Sequence, residues 1–377
     1  MTLALLILAG LWLAYSNGAN DNFKGVATLY GSGTCSYRTA LIWATCATLL
    51  GSLTSVLLAH GLARAFSGKG LIDGGLIDSG MLTAVGGAGA ITILLATLLG
   101  MPTSTTHALT GGLVGAALVA DPTGVNWHAL ATKFAQPLLL SPVLAVVGTA
   151  LVYPLLRRLR RQMGIERESC VCLAECEPAS AVLGAGGAAR LVAGGPATPT
   201  LRVGGANGCT EPYQGRIVGV DAQAAVDTVH YASGAAVCFA RAVNDTPKIA
   251  ALLLAANVFG GGVGASVKLL AVSLAMMAGG LIQSRKVAET MSRRITELNA
   301  GQGLTANLVT AALVLGASRL GVPVSTTHVS CGAIFGIGLV GRQQRWKTIS
   351  AILATWVTTL PMGLLLGAVL NTALHSG

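Results

Sequence analysis

Gly18-Ala19-Asn20-Asp21-Asn22-Phe23-Lys24 sets amide, carboxylate and ammonium groups between two apolar runs, Leu3–Leu13 and Val26–Leu29. Such a run reads as a membrane span, and polar groups at its centre are expensive to hold, so they mark a site by default. The same chemistry returns at Val243-Asn244-Asp245-Thr246-Pro247-Lys248, where Asn244, Asp245 and Lys248 match Asn20, Asp21 and Lys24 at one constant offset. A second pattern is also paired: Pro102-Thr103-Ser104-Thr105-Thr106-His107 and Pro323-Val324-Ser325-Thr326-Thr327-His328. Pro ends the incoming helix and Ser or Thr caps the outgoing one. The free N–H groups and hydroxyls of that helix start make an anion site without needing Arg. A carboxylate beside an anion repels it unless a proton or cation lies between them. Asp21 and Asp245 can accept from a protonated oxyanion, or coordinate Na⁺ with unwound carbonyls and the Asn20 and Asn244 amides. Anion and cation binding then depend on each other, which is what symport requires. Two plainer readings compete: Asp–Lys pairs that are only structural, which does not exclude a site, and Ser/Thr runs that only satisfy helix kinks.

Holding such groups in place takes a particular scaffold. Of 377 residues, 53% are hydrophobic and 10% charged, far below the quarter or so charged in soluble domains, so the chain is an all-α polytopic membrane protein. Fifty glycines suit close helix packing and broken helices in a bilayer. No cleavable signal is expected, because the first span lacks a basic leading region. Apolar segments fall near 1–30, 38–60, 81–120, 129–156, 223–258, 267–284, 303–340 and 349–373. The polar stretch between them opens with Arg157, Arg158, Arg160 and Arg161, which places it in the cytoplasm. Its Gly-, Ala- and Pro-rich interior, Ala181–Gly208, is expected to be mobile, with Leu201–Val203 and Arg216–Val220 as a small hairpin.

The segments pair across that stretch. Gly100, Pro102, Ser104, Thr105, Thr106, His107, Gly111 and Gly115 recur as Gly321, Pro323, Ser325, Thr326, Thr327, His328, Gly332 and Gly336. This predicts a first membrane repeat over 1–156, a cytoplasmic loop over 157–222 and a second repeat over 223–377. Equivalent loops differ in basic charge: Ala120–His128 has one charge, Asp121, whereas Gly341–Lys347 has Arg342, Arg345 and Lys347. The simplest reading is two inverted-topology repeats with both termini outside. Crossing parity then requires 81–120 and 303–340 to be helical hairpins, broken at Pro102 and Pro323.

Gly18-Ala19-Asn20-Asp21 and Asn244-Asp245, with the two Ser-Thr-Thr-His hairpins, resemble the inorganic phosphate transporter (PiT) family, over both halves and nearly all the chain except the central loop. The resemblance implies secondary transport of inorganic phosphate coupled to Na⁺ or H⁺, at a central site built from both halves. It implicates Asn20, Asp21, Ser104, Thr105, Thr106, Asn244, Asp245, Ser325, Thr326 and Thr327. Two departures stand out. Ala242-Val243 replaces the usual Gly-Ala, which restricts a helix break there. Lys24 and Lys248 stand where many sodium-coupled members carry Asn; as fixed cations they would offset oxyanion charge and take the place of a coupling cation.

Other polar residues are weaker signals. His107 and His328 are expected to brace the hairpins rather than carry protons. Cys170, Cys172 and Cys176 are spaced as a candidate metal or redox cluster, against a default of reduced cytoplasmic thiols. The net charge of +10 reflects topology and anionic lipid rather than nucleic acid. No cofactor beyond the coupling cation is expected, the location is the cell (inner) membrane, and a homodimer is left open. A sulfate or other tetrahedral oxyanion permease is the nearest alternative. A passive anion channel would not need two buried Asp, and an intramembrane hydrolase using Ser104 or Ser325 with a His would not need a duplicated site, so an enzyme is not expected.

Overall fold

Capping residues and glycines set where the helices begin and end. The computed structural model describes residues 2–58, 60–68, 70–162, 169–176, 180–183, 189–192, 198–205, 218–255 and 264–376. The first half comprises α1 (Thr2–Asp21), α2 (Ala27–Gly31), α3 (Tyr37–Leu58), α4 (His60–Phe66), α5 (Ser79–Leu98) and α6 (Thr105–Ala120). It closes with a short α7 (Trp127–Ala129), a π-helical turn at Leu130–Ala135 and the long α8 (Gln136–Gln162). The second half comprises α9 (Ala222–Ala255), α10 (Ala265–Gln283), α11 (Arg285–Glu289), α12 (Ala300–Arg319), α13 (Thr326–Gly341) and α14 (Trp346–His375). Among the described residues, six helices are long and apolar enough to cross a membrane: Leu3–Asp21, Ser79–Leu98, Trp127–Leu159, Ser266–Gln283, Ala300–Arg319 and Trp346–His375. The chain is a multi-pass membrane protein.

The two hairpins, α5–α6 and α12–α13, are built alike. Glycine, rather than proline, stops each incoming helix: Gly100 and Gly321 adopt φ of +71° and +68°, a left-handed turn open to glycine at little cost. Met101 N–H then bonds the Ala96 carbonyl and Val322 N–H the Ala317 carbonyl, both at 2.9 Å, closing the same C-terminal motif twice. Pro102 and Pro323 follow and keep the helix from resuming. The Asn-Asp stretches differ from one another. α1 ends at Asp21 and turns through Asn22–Val26, whereas α9 runs unbroken through Asn244–Lys248 with Pro247 inside it.

Each outgoing hairpin helix packs against the final helix of the other half. A Cβ on Gly111 or Gly115 of α6 would fall on the Leu360 or Leu364 carbonyl of α14, and one on Gly332 or Gly336 of α13 would lie 2.9 or 2.6 Å from the Pro142 or Val146 carbonyl of α8. Backbones approach this closely only where small residues line the contact.

The helical body, Met1–Tyr153 with His230–Gly377, forms one compact unit and Pro154–Val229 a second. Among the described residues of the second unit lie five strands: β1 (Ser169–Cys176), β2 (Ser180–Leu183), β3 (Ala189–Val192), β4 (Thr198–Gly205) and β5 (Val218–Asp221). Residues 201–203 and 218–220 are extended as expected but do not pair with each other. β4 and β5 flank β1 on either side, both antiparallel and both in register at Leu173. Twelve residues separate β4 from β5 in the sequence, more than a tight hairpin uses. Arg216 and much of Ala181–Gly208 lie outside the described residues.

Candidate functional site

Two acidic and three basic side chains are buried together, each at most 1% exposed: Asp21, Asp245, Lys24, Lys248 and Arg241. The turn after α1 brings Lys24 back onto Asp21, with which it forms an ion pair. On intact α9, helical geometry places Lys248 one turn from Asp245, Nζ to Oδ1 3.2 Å.

Each lysine then crosses to the other half. Lys24 Nζ donates to the Thr327 hydroxyl and lies 3.4 Å from the Thr103 carbonyl. Lys248 Nζ lies 2.8 Å from Thr106 Oγ1 and 3.1 Å from the Val324 carbonyl. The threonines close the loop, Thr327 donating to the Thr103 carbonyl and Thr106 to the Val324 carbonyl at 3.1 Å. Thr103 and Val324 are duplicate positions, as are Thr106 and Thr327, so the contacts repeat with the halves exchanged.

Asn17 holds the two carboxylates together. Its Nδ2 lies 3.2 Å from Asp21 Oδ2, 3.3 Å from Asp245 Oδ2 and 2.8 Å from Thr105 Oγ1. Thr326 Oγ1 adds a contact to Asp245 Oδ2 at 3.4 Å. Ser104 and Ser325 are the helix caps, their Oγ accepting from His107 and His328 N–H at 3.2 Å. Asn20 clamps the first hairpin, its Nδ2 on Thr97 Oγ1 and its Oδ1 accepting from Thr103 N–H at 3.0 Å. Asn244 reaches Ser318 Oγ at 2.9 Å and accepts from Lys248. All ten residues of the two hydroxyl runs and Asp–Lys pairs therefore converge on one buried locus, and the two Asn residues face the hairpins.

The model of the phosphate transporter family matches residues 17–367, from Asn17 through α14. The chain belongs to the phosphate transporter family. Among its relatives, a probable low-affinity inorganic phosphate transporter of Mycobacterium bovis is 26% identical over 99% of this chain and 78% of its own length. The chloroplastic inorganic phosphate transporter 2-1 of Arabidopsis thaliana is 27% identical over 96% of this chain and 70% of its own. A putative phosphate permease of Pyrococcus furiosus is 28% identical over 99% of this chain and 96% of its own. A solved structure described as the sodium-dependent phosphate transporter superposes over 100% of this chain and 99% of its own, with a TM-score of 0.74 at 20% identity. That likeness shows a shared fold. These relatives are transporters, not enzymes.

Within that family frame, several contributors carry no motif in the sequence. Asn17 and Arg241 lie at duplicate positions but differ in type, and Thr103 and Val324 act through backbone carbonyls. His107 and His328 meet ring to ring, centroids 4.6 Å apart, with His328 stacked on Trp356 at 4.0 Å, an arrangement that joins the two hairpins. Cys170, Cys172 and Cys176 fall on β1, their side chains outside the described residues. No group of three His, Cys, Asp or Glu side chains able to share a metal occurs among the described residues.

The elbows of the two hairpins are covered differently. Lys286 packs over Gly100 and donates to the Leu98 carbonyl at 2.8 Å. Gly321–Pro323 instead borders an open crevice of about 400 Å³ that Arg64, Lys133 and Phe134 also line.

Proposed function

We propose that this protein is a secondary active transporter that takes up inorganic phosphate by cation symport, at a central site formed by both halves. The observation that carries this reading is the reciprocal reach of Lys24 to Thr327 and of Lys248 to Thr106, which makes two duplicated half-sites one locus. Hydroxyls of Ser104, Thr105, Thr106, Ser325, Thr326 and Thr327 at two helix starts suit an oxyanion, and the lysines neutralise the two carboxylates that would otherwise repel it. Asp21 and Asp245 make the cation dependence. Each already holds an ammonium where a bound Na⁺ would sit, which favours H⁺ as the coupling ion, carried by an Asp or by the phosphate itself. Na⁺ is the second reading, favoured by the solved relative being sodium-dependent by description.

In this reading the halves 1–156 and 223–377 are inverted repeats in the cell (inner) membrane. Both termini lie outside, and 157–222 is cytoplasmic, because equivalent loops differ in basic charge. The crevice beside Gly321–Pro323 then opens on the outer face. Counterflow in proteoliposomes with labelled phosphate, sulfate and arsenate tests the substrate: phosphate exchange without sulfate exchange is expected, and sulfate exchange at equal rate would replace the assignment. Uptake above the equilibrium level under an imposed gradient separates a symporter from a passive channel.

A further inference from the structure

Arg241 is the third buried cation of the site, and the Asp–Lys pairing leaves it over. Its Nη1 donates to Asn17 Oδ1 at 3.1 Å and its Nη2 to Thr48 Oγ1 at 2.8 Å, while its Nε has no hydrogen-bond partner. It stands 224 residues after Asn17, the separation that also relates Asp21 to Asp245 and Lys24 to Lys248. The duplicate of this position is thus a neutral amide in one half and a guanidinium in the other. Lys24 pairs with Asp21 and Lys248 with Asp245, so the buried set keeps one unbalanced positive charge. A guanidinium does not deprotonate to relieve it, and at membrane depth such a charge is costly unless met by an anion.

We propose that Arg241 is a resident counter-charge for the transported anion: acting through Asn17, it gives the phosphate site the surplus positive charge that a bound cation would otherwise supply. This rests on the phosphate-transport reading. Asn17 is the coupling element, since its amide oxygen accepts a hydrogen bond from Arg241 while its Nδ2 touches both carboxylates and Thr105. An arriving oxyanion neutralises the surplus, whereas an arriving Na⁺ would add to it. Arg241 is therefore a positioning and charge-setting residue rather than a direct ligand.

The test uses the full chain in proteoliposomes at a single slightly alkaline pH, where phosphate is mainly a dianion and hypophosphite a monoanion. Labelled-phosphate uptake is measured, with hypophosphite as competitor, for wild type, Arg241→Gln and Arg241→Lys. A Coulombic role scales with ligand charge, so Arg241→Gln should weaken hypophosphite about tenfold and phosphate about a hundredfold, while Arg241→Lys keeps both within about threefold of wild type. Equal losses for the two anions, or no loss, would overturn the proposal, because a packing defect does not distinguish valence. Arg241→His, uncharged in the same buffer, is the second neutral variant should Arg241→Gln not fold. Wild type that takes up no phosphate would defeat the transport reading and this inference together. Uptake by wild type with valence-independent losses defeats only the role of Arg241.

Discussion

The Lys248 ammonium lies 2.8 Å from the hydroxyl of Thr106, a residue of the opposite half, and Lys24 makes the matching contact to Thr327. The ion pair of each half is thus hydrogen-bonded to a hydroxyl of the other. Thr106→Val and Thr327→Val keep the side-chain shape and remove that partner. Losing a hydrogen bond to a charged group costs about 1.5–3 kcal/mol, so KM for phosphate uptake should rise roughly ten- to a hundredfold in each variant. Because the two contacts belong to one network, the double variant should lose less than the two single losses combined. Full additivity would mean two independent sites.

Replacing the lysines tests the coupling ion. Uptake by wild type should follow an imposed pH gradient with little response to Na⁺. In Lys24→Asn/Lys248→Asn the carboxylates lose their ion pairs, and a buried unpaired charge is costly, so Na⁺ stimulation should appear where wild type shows none. Strict Na⁺ dependence of the wild type would refute the idea that the ammonium groups substitute for a bound cation.

Ser104 and Ser325 cap α6 and α13 through Oγ, which leaves each hydroxyl proton free to donate. Ser104→Ala removes both cap and donor, whereas Ser104→Gly keeps most of the capping preference. The alanine variant should lose about 1 kcal/mol of stability and the glycine variant a few tenths, read as melting temperature in detergent. Both should weaken phosphate about tenfold, through the lost donor. Unchanged affinity in both would take Ser104 out of the substrate contact.

Glycine contacts give a prediction about folding alone. Gly115→Ala would drive a methyl into the Leu364 carbonyl, and nothing lies within 4 Å of a Cβ on Gly316. Overpacking costs about 1–3 kcal/mol, while replacing a helical glycine in open space adds up to about 1 kcal/mol of stability. Gly115→Ala should therefore melt lower than wild type and Gly316→Ala no lower. The reverse order would contradict the α6–α14 contact.

Much of the site is legible in the sequence because duplication filters out chance. Asp21, Lys24 and the hydroxyl runs announce themselves twice, and Ser104 and Ser325 take the capping positions their spacing implies. Arg241 escapes the same filter, since its duplicate is Asn17 and a comparison of identities passes over a changed pair. Carbonyls of Thr103 and Val324 are invisible for a different reason: every residue has one, and only tertiary placement selects these two. The unbroken α9 is a case of tertiary packing overriding a local signal, as Pro247 is carried inside a buried helix. In the central segment the extended stretches are readable, but their partner, β1, is set by register that alternation alone does not encode.

The glycine contacts of α6 on α14, and of α13 on α8, also bear on how such a molecule moves. Sequence halves suggest a jaw, with residues before the central segment swinging against those after it. That swing would have to tear each hairpin from the long helix it leans on, since that helix belongs to the opposite side of the jaw. The pieces packed closely enough to travel intact would instead be composite: each hairpin with the borrowed helix behind it. The motifs come in two copies, but the packed units are cut across both halves of the chain.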